Sequence, residues 1–258
     1  MLLAIDVGNT NIVFGVFEGD TLRATWNIAT DLHKTADEYA VLLLNLLPRE
    51  GLALSDIDNA IICSVVPPLD AIFNELIKRY LQTSPLVISP GVKTGVRIGI
   101  DNPREVGADR VVNAAAAHRL YGGPVIIIDF GTATTLDAIS EDGEYLGGAI
   151  APGIGIAAEA LFTRASKLPR IELIPPEHAI GRNTVTAMQS GVMFGYVGLV
   201  ENLVARIRQE LGGKAKVVAT GGLANVIAKE TKVIDEVNPN LTLFGLRLIH
   251  EMNRSGEK

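Results

Sequence analysis

The sequence predicts an α/β fold of two lobes built by duplication, and three observations point to it. A short apolar strand, Leu2 to Val7, carries Asp6 near its end and runs into the turn Gly8-Asn9-Thr10-Asn11, and a second one ending in Asp129 runs into Phe130-Gly131-Thr132-Ala133-Thr134. Each turn opens a meander of three strands and is followed by mixed helix and strand, the mark of an internal repeat. No low-complexity linker separates the copies, so the expectation is two apposed lobes, 1–115 and 116–258, around a central cleft.

The elements follow in order. Leu2 to Val7, Ile12 to Phe17 and Leu22 to Ile28 read as strands, with turn chemistry at Gly8-Asn9-Thr10-Asn11 and Glu18-Gly19-Asp20. From Thr35 the apolar spacing becomes helical, through Tyr39, Leu42, Leu43, Leu46 and Leu47 to Pro48. Ala60 to Val66 is a buried strand, Pro67 starts a helix ending near Leu81, and Leu86 to Ile88 is a short strand. After a Gly- and Pro-containing stretch, a helix is expected over about 105–120. The second copy runs Val125 to Asp129, Thr135 to Ile139 and Tyr145 to Ile150 as strands. A long helix over Thr184 to Leu211, a strand over Lys216 to Thr220, a helix from Leu223 to Lys229 and a last helix from Leu241 to Asn253 complete the chain.

Composition narrows the function classes. The 258 residues are 48% hydrophobic and 20% charged, an ordinary globular balance with enough chain for a well-buried core. A net charge of −6 offers no broad basic surface to a polyphosphate backbone, which disfavours nucleic-acid binding. The start Met1-Leu2-Leu3-Ala4-Ile5-Asp6 has no basic flank, and no apolar run nears the ~20 residues needed to span a bilayer. The cytoplasm is therefore the expected compartment, with no membrane partner. Cys63, the single cysteine, lies in an apolar run and is expected as a small buried hydrophobe. The four histidines are scattered, without zinc-ligand spacing.

The chemistry concentrates at the turns. A hairpin tip with Gly8 brings bare backbone close to phosphate oxygens, and Asn or Thr side chains add donors. Asp6, at its strand's end, suits Mg²⁺, which takes one or two carboxylates with phosphates and water. The second turn repeats the design with Thr donors, and Thr220-Gly221-Gly222, between strand and helix, could admit a nucleoside against bare backbone. Strand, Asp-Gly hairpin, repeat and Gly-Gly resemble the layout of the actin, sugar kinase and Hsp70 superfamily, with its duplicated, ribonuclease H-like ATPase fold.

The resemblance sharpens at Gly107-Ala108-Asp109-Arg110. Together with Asp6-x-Gly8-Asn9-Thr10, Asp129-x-Gly131-Thr132-Ala133-Thr134 and Gly147-Gly148-x-Ile150-x-Pro152-Gly153, it is similar to the signatures of type III pantothenate kinases. That resemblance runs from Asp6 to Gly221-Gly222 and implies ATP-dependent phosphorylation of pantothenate to 4′-phosphopantothenate, the first step of coenzyme A biosynthesis. It implies Asp109 as the base and Ile100, Gly107, Ala108, Asp109, Arg110 and Thr184 as substrate contacts, Thr184 reaching in from the partner of a homodimer. ATP would be held by Asp6, Val7, Gly8, Asn9, Thr10, Asn11, Ile12, Val13, Thr132, Gly221 and Gly222. Mg²⁺ would sit at Asp6, and a monovalent cation, K⁺ or NH₄⁺, at Asp129. Many members of the family carry Tyr where this chain has Ile100, so a hydroxyl contact is lost there.

Two other classes remain in view. A non-catalytic regulator could use the same fold, although Asp6, Asp109 and Asp129 are all intact. Gly153-Ile154-Gly155-Ile156-Ala157-Ala158, with Glu172 downstream, fits a dinucleotide fingerprint, but Pro152, Pro169, Pro175 and Pro176 interrupt it. No Gly-x4-Gly-Lys-Ser/Thr motif occurs, which excludes a P-loop kinase.

Overall fold

A computed structural model describes residues 1–254. In chain order its strands and helices begin with β1 (Leu2–Val7), β2 (Asn11–Glu18), β3 (Thr21–Ala29), α1 (Ala36–Leu46), β4 (Asn59–Ser64), α2 (Pro67–Leu76) and β5 (Leu86–Val87). Then come β6 (Arg97–Ile98), α3 (Ala108–Tyr121), β7 (Val125–Phe130), β8 (Ala133–Ile139) and β9 (Glu144–Pro152). The chain continues with α4 (Ile154–Arg164), α5 (Thr184–Glu210), β10 (Lys216–Thr220), α6 (Ala224–Ile227), β11 (Glu236–Val237) and α7 (Leu241–Arg254).

Packing divides the chain into two units. The first holds 1–96, 102–116 and the described residues from Thr242 onward; the second holds 97–101 and 117–241. The boundary expected at 115/116 thus falls inside α3, and α7 packs with the first unit.

The first unit is built on a sheet of order β3-β2-β1-β4-β5, with β1 antiparallel to β2 and parallel to β4. β1 is apolar from Leu2 to Ile5 because both its faces are covered, and Asp6 breaks the run near its end. Leu3, Ile5 and Val7 point into a core with Tyr39 and Leu43 of α1 and Leu69, Phe73 and Leu76 of α2. Leu2 and Ala4 point the other way, into a core with Ile61, Cys63, Val112, Ala115, Leu243 and Leu246. This period-two split is what strand geometry dictates. Thr35 and Glu38 close a capping box on α1, and two prolines open α2, where missing N–H groups cost nothing. The helix expected to reach Leu81 does so as α2 plus a π-turn at Ile77–Leu81.

The second unit repeats the plan as β11-β10-β7-β8-β9, with β6 added beyond β9. β7 is again the apolar central strand, antiparallel to β8 and parallel to β10. Ile126, Ile128 and Phe130 pack with Leu136, Ile154 and the α5 residues Val192, Met193, Tyr196, Val200 and Val204. Asn183 and Thr186 cap α5 reciprocally. The helix expected over Leu223 to Lys229 is shorter, Ala224–Ile227, and the one expected from about Glu105 begins at Ala108 after a 3-10 turn at Pro103–Glu105. No helix among the described residues is long and apolar enough to cross a membrane.

Candidate active site

In the first unit, Asp6 is half-buried at the end of β1, level with Val13 on one side and Cys63 on the other. The turn beyond it is closed by the Gly8 N–H donating to the Asn11 carbonyl at 3.0 Å. Thr30, just past β3, ties it twice: its hydroxyl donates to the Gly8 carbonyl at 2.6 Å and its N–H to the Thr10 carbonyl at 2.9 Å. Asn9, Thr10 and Asn11 are exposed, whereas Val7 and Ile12 are fully buried and Val13 is partly buried. The Val7 and Ile12 side chains belong to the core, so only their backbone could meet a ligand.

Asp109 lies in the first turn of α3 and is half-buried. Its Oδ1 accepts from the Arg110 N–H at 2.9 Å, and the side chain folds back so far that a Cβ on Gly107 would lie 2.5 Å from that oxygen. The helix is held there because Val112 and Ala115 pack beneath β1 and β4 with Ala4, Ile61 and Cys63. Burial, and then the nearby Asp6 and Asp109 carboxylates, push the Cys63 thiol well above its usual range. The sequence-predicted Asp6 and Asp109 therefore both act on one buried, neutral thiol. That proximity was invisible in the sequence, where Cys63 is only one more apolar residue.

In the second unit, Asp129 is half-buried at the end of β7, level with Thr135 and Thr220. Gly221 has φ +91°, and a Cβ there would stand 2.6 Å from Asp129 Oδ1 and 2.7 Å from the Phe130 backbone. Gly153 presses on the same turn from the start of α4: its N–H donates to the Thr132 carbonyl at 3.1 Å, and a Cβ would lie 2.2 Å from that oxygen. Asp129, Thr132 and Gly221 are thus one cluster, with Gly131, Thr132 and Gly222 exposed around it. Two expected substrate residues lie apart from this turn. Ile100 follows β6, beside Gly147, and Thr184 is exposed at the start of α5. Thr184 borders a recess of about 800 Å³ lined also by Leu161, Gly181, Arg182, Met188 and Tyr196.

Among the described residues, no three His, Cys, Asp or Glu side chains gather as a metal cage. Glu172 sits in irregular backbone and its carbonyl accepts from Gln189 Nε2 at 3.1 Å. No strand carries it, which removes the dinucleotide reading.

A duplicated sheet of this order, with an Asp-Gly turn at the end of each central strand, defines an actin-like ATPase and sugar-kinase type of fold. Solved structures agree on the fold: a Baf family protein from Campylobacter jejuni (19% identity, 98% of this chain and 99% of that one, TM-score 0.64) and the ethanolamine utilization protein EutJ from Carboxydothermus hydrogenoformans (15% identity, 96% and 89%, TM-score 0.53). The family model for type III pantothenate kinase matches residues 2–206. Relatives named type III pantothenate kinase include one from Moorella thermoacetica, 59% identical over 98% of this chain and 100% of its own length. Another, from Dehalococcoides mccartyi, is 56% identical over 98% and 96%. The chain belongs to the type III pantothenate kinase family.

Proposed function

We propose how this chain performs its family's reaction, the ATP-dependent phosphorylation of pantothenate in coenzyme A biosynthesis. Asp109 is the base. Its carboxylate takes the proton of the attacking pantothenate hydroxyl as that oxygen bonds to the γ-phosphorus and the bond to ADP breaks. Phosphoryl transfer asks mainly for positioning and charge stabilisation, so one carboxylate at the hydroxyl suffices. Arg110 pairs with the pantothenate carboxylate, for which a guanidinium is geometrically matched. Gly107 and Ala108 give close backbone approach, and Ile100 supplies an apolar contact. The exposed turns after Asp6 and Asp129 are each suited to phosphate, and the bare backbone at Gly221-Gly222 to a nucleoside. Mg²⁺, held by Asp6, would neutralise phosphate charge. The observation that carries this reading is Asp109 in the first turn of α3, its Oδ1 turned back onto the Arg110 N–H at 2.9 Å, in the same packed unit as Asp6 near the end of β1.

The intact carboxylates also favour an enzyme over a regulator on the same fold. The test is ADP release from the purified protein with pantothenate, compared with sugars and acetate. Release with a sugar or acetate and none with pantothenate would defeat the assignment. Recovery of the protein in the soluble cytoplasmic fraction is the matching expectation for its compartment.

Asp129 is the proposed seat of a monovalent cation. A carboxylate beside bound phosphate is repelled unless a cation lies between them. Mg²⁺ demands tight octahedral geometry and keeps its waters, whereas K⁺ or NH₄⁺ bridges oxygens more loosely. The expected result is strong activation by KCl or NH₄Cl over NaCl at constant ionic strength and fixed Mg²⁺, lost in Asp129→Ala. Equal rates in the three salts would leave Asp129 without this role.

The working form is a homodimer in which Thr184 reaches the partner's pantothenate. Gly191, Gly195 and Gly198 form an exposed stripe on α5 with open space above each. Leu161 and Phe162 of α4, Ile180 before α5 and Val185 in its first turn are exposed as well. A face this apolar favours a symmetric partner. Mixing Asp109→Asn with Thr184→Trp subunits should restore activity, because one hybrid site then carries neither lesion. A monomeric, fully active protein on light scattering would refute the dimer.

A further inference from the structure

Asp137 and Tyr145, which belong to no motif used above, are each 1% exposed, and the Tyr145 hydroxyl donates to Asp137 Oδ1 at 2.6 Å. The Thr135 hydroxyl approaches Asp137 Oδ2 at 3.4 Å. Burying a carboxylate is costly unless it is well hydrogen-bonded, so such a pair calls for a reason. Its location supplies one. The register of β8 and β9 slips between Ala138 and Ile139: Ala138 faces Gly147 and Ile139 faces Tyr145, leaving Leu146 as the extra residue of a bulge. Gly147, just after it, has φ +118°. The Tyr145–Asp137 bond therefore ties the two strands across the irregular step.

The other edge of β9 carries β6. Arg97 pairs with Glu144 and Ile98 with Tyr145, and the Tyr145 carbonyl accepts from the Gly99 N–H at 2.8 Å. The next residue is Ile100, whose Cγ2 lies 3.6 Å from where a Cβ on Gly147 would stand. Tyr145 thus grips Asp137 with its side chain and the approach to Ile100 with its backbone. Bulges recur beside active sites because they re-aim a side chain.

We propose that Asp137 and Tyr145 are positioning residues for acceptor recognition: the bonded pair fixes the β9 bulge, and the bulge fixes Ile100 against pantothenate. This rests on the reading of Ile100 as an acceptor contact. Steady-state kinetics of the full chain test it. Tyr145→Phe keeps the ring and removes one donor to the carboxylate. It should raise KM for pantothenate about 3- to 10-fold, with kcat and KM for ATP within about twofold, the size expected for one hydrogen bond. Asp137→Asn retains an acceptor and should be milder than Asp137→Ala, and Tyr145→Phe should add little to Asp137→Ala. A parallel rise in both KM values, or a lower Tm with both KM values unchanged, would overturn the proposal. Ile100→Ala separates the two layers. If it raises KM for pantothenate while Tyr145→Phe does not, positioning alone fails. If Ile100→Ala leaves that KM unchanged, the acceptor contact fails and the proposal falls with it.

Discussion

The turns after Asp6 and Asp129 occupy the same place in the same strand order, yet they are fastened by different means. The first adds a side-chain tie to its backbone bonds: the Thr30 hydroxyl reaches back to the Gly8 carbonyl, while the Gly8, Thr30 and Val65 N–H groups meet the Asn11, Thr10 and Val7 carbonyls. The second is boxed by bare backbone, with Gly153 against Thr132 on one side and Gly221 against Asp129 and Phe130 on the other. Duplication has copied the topology and left the fastening free to diverge. A side-chain tie can be loosened by degrees, because the turn keeps its backbone path without it. A backbone box leaves no room for any side chain at all.

If the two turns only hold phosphate, the largest effect of any substitution belongs to neither. It is expected at Asp109, the proposed base at the start of α3. Asp109→Asn preserves size and shape but cannot accept the hydroxyl proton, and loss of a general base lowers turnover by about 10²–10⁴. Rates at saturating pantothenate and ATP measure it. Near-normal turnover would return Asp109 to a role at the helix start and shift the chemistry toward the turns.

Next comes the boxed turn. Gly221→Ala forces a side chain into a left-handed conformation and onto Asp129 Oδ1. Strain of this kind costs about 1–3 kcal/mol, so urea unfolding should show that loss together with a raised KM for ATP. Unchanged stability would mean that the second turn yields as readily as the first, and the contrast between them would disappear.

How much of this was legible beforehand depended on whether the signal was local. The central strands were plain because burial on both faces makes Leu2–Ile5 and Val125–Ile128 continuous apolar runs, each followed by an aspartate. α1 and α5 were plain because their caps and apolar spacing lie within a few residues of each other. The two-residue strands β6 and β11 were not, since pairing with β9 and β10 alone defines them. The attachment of α7 was hidden likewise: Leu243, Leu246 and Ile249 show an apolar face, but not that Ala4 and Cys63 lie opposite. At the candidate site, Asp6 and Asp129 stood out because each ends an apolar run and enters a turn rich in Gly and small polar residues, whereas Asp109 stood out only through the resemblance of Gly107-Ala108-Asp109-Arg110 to a family signature. Thr30 and the Asp137–Tyr145 pair gave no sign, because a threonine after a strand and a tyrosine within one are unremarkable until their partners are in view.

Thr30 offers the smallest and most discriminating test of the contrast between the turns. Thr30→Val is nearly isosteric and β-branched, so the backbone after β3 is undisturbed, and the Thr30 N–H still reaches the Thr10 carbonyl. What is lost is the hydroxyl bond to the Gly8 carbonyl, in a partly buried setting. Removing one such bond destabilises by about 0.5–1.5 kcal/mol. The Gly8 carbonyl stands next to Asn9, in the turn proposed to hold phosphate, so KM for ATP should rise a few-fold while KM for pantothenate and kcat stay near their original values. Thr30→Ser keeps a hydroxyl and should recover most of the difference, which a packing defect at this position would not allow. If Thr30→Val were as damaging as Gly221→Ala, the first turn would depend on its tie as fully as the second depends on its glycines. The two halves would then differ in chemistry but not in tolerance.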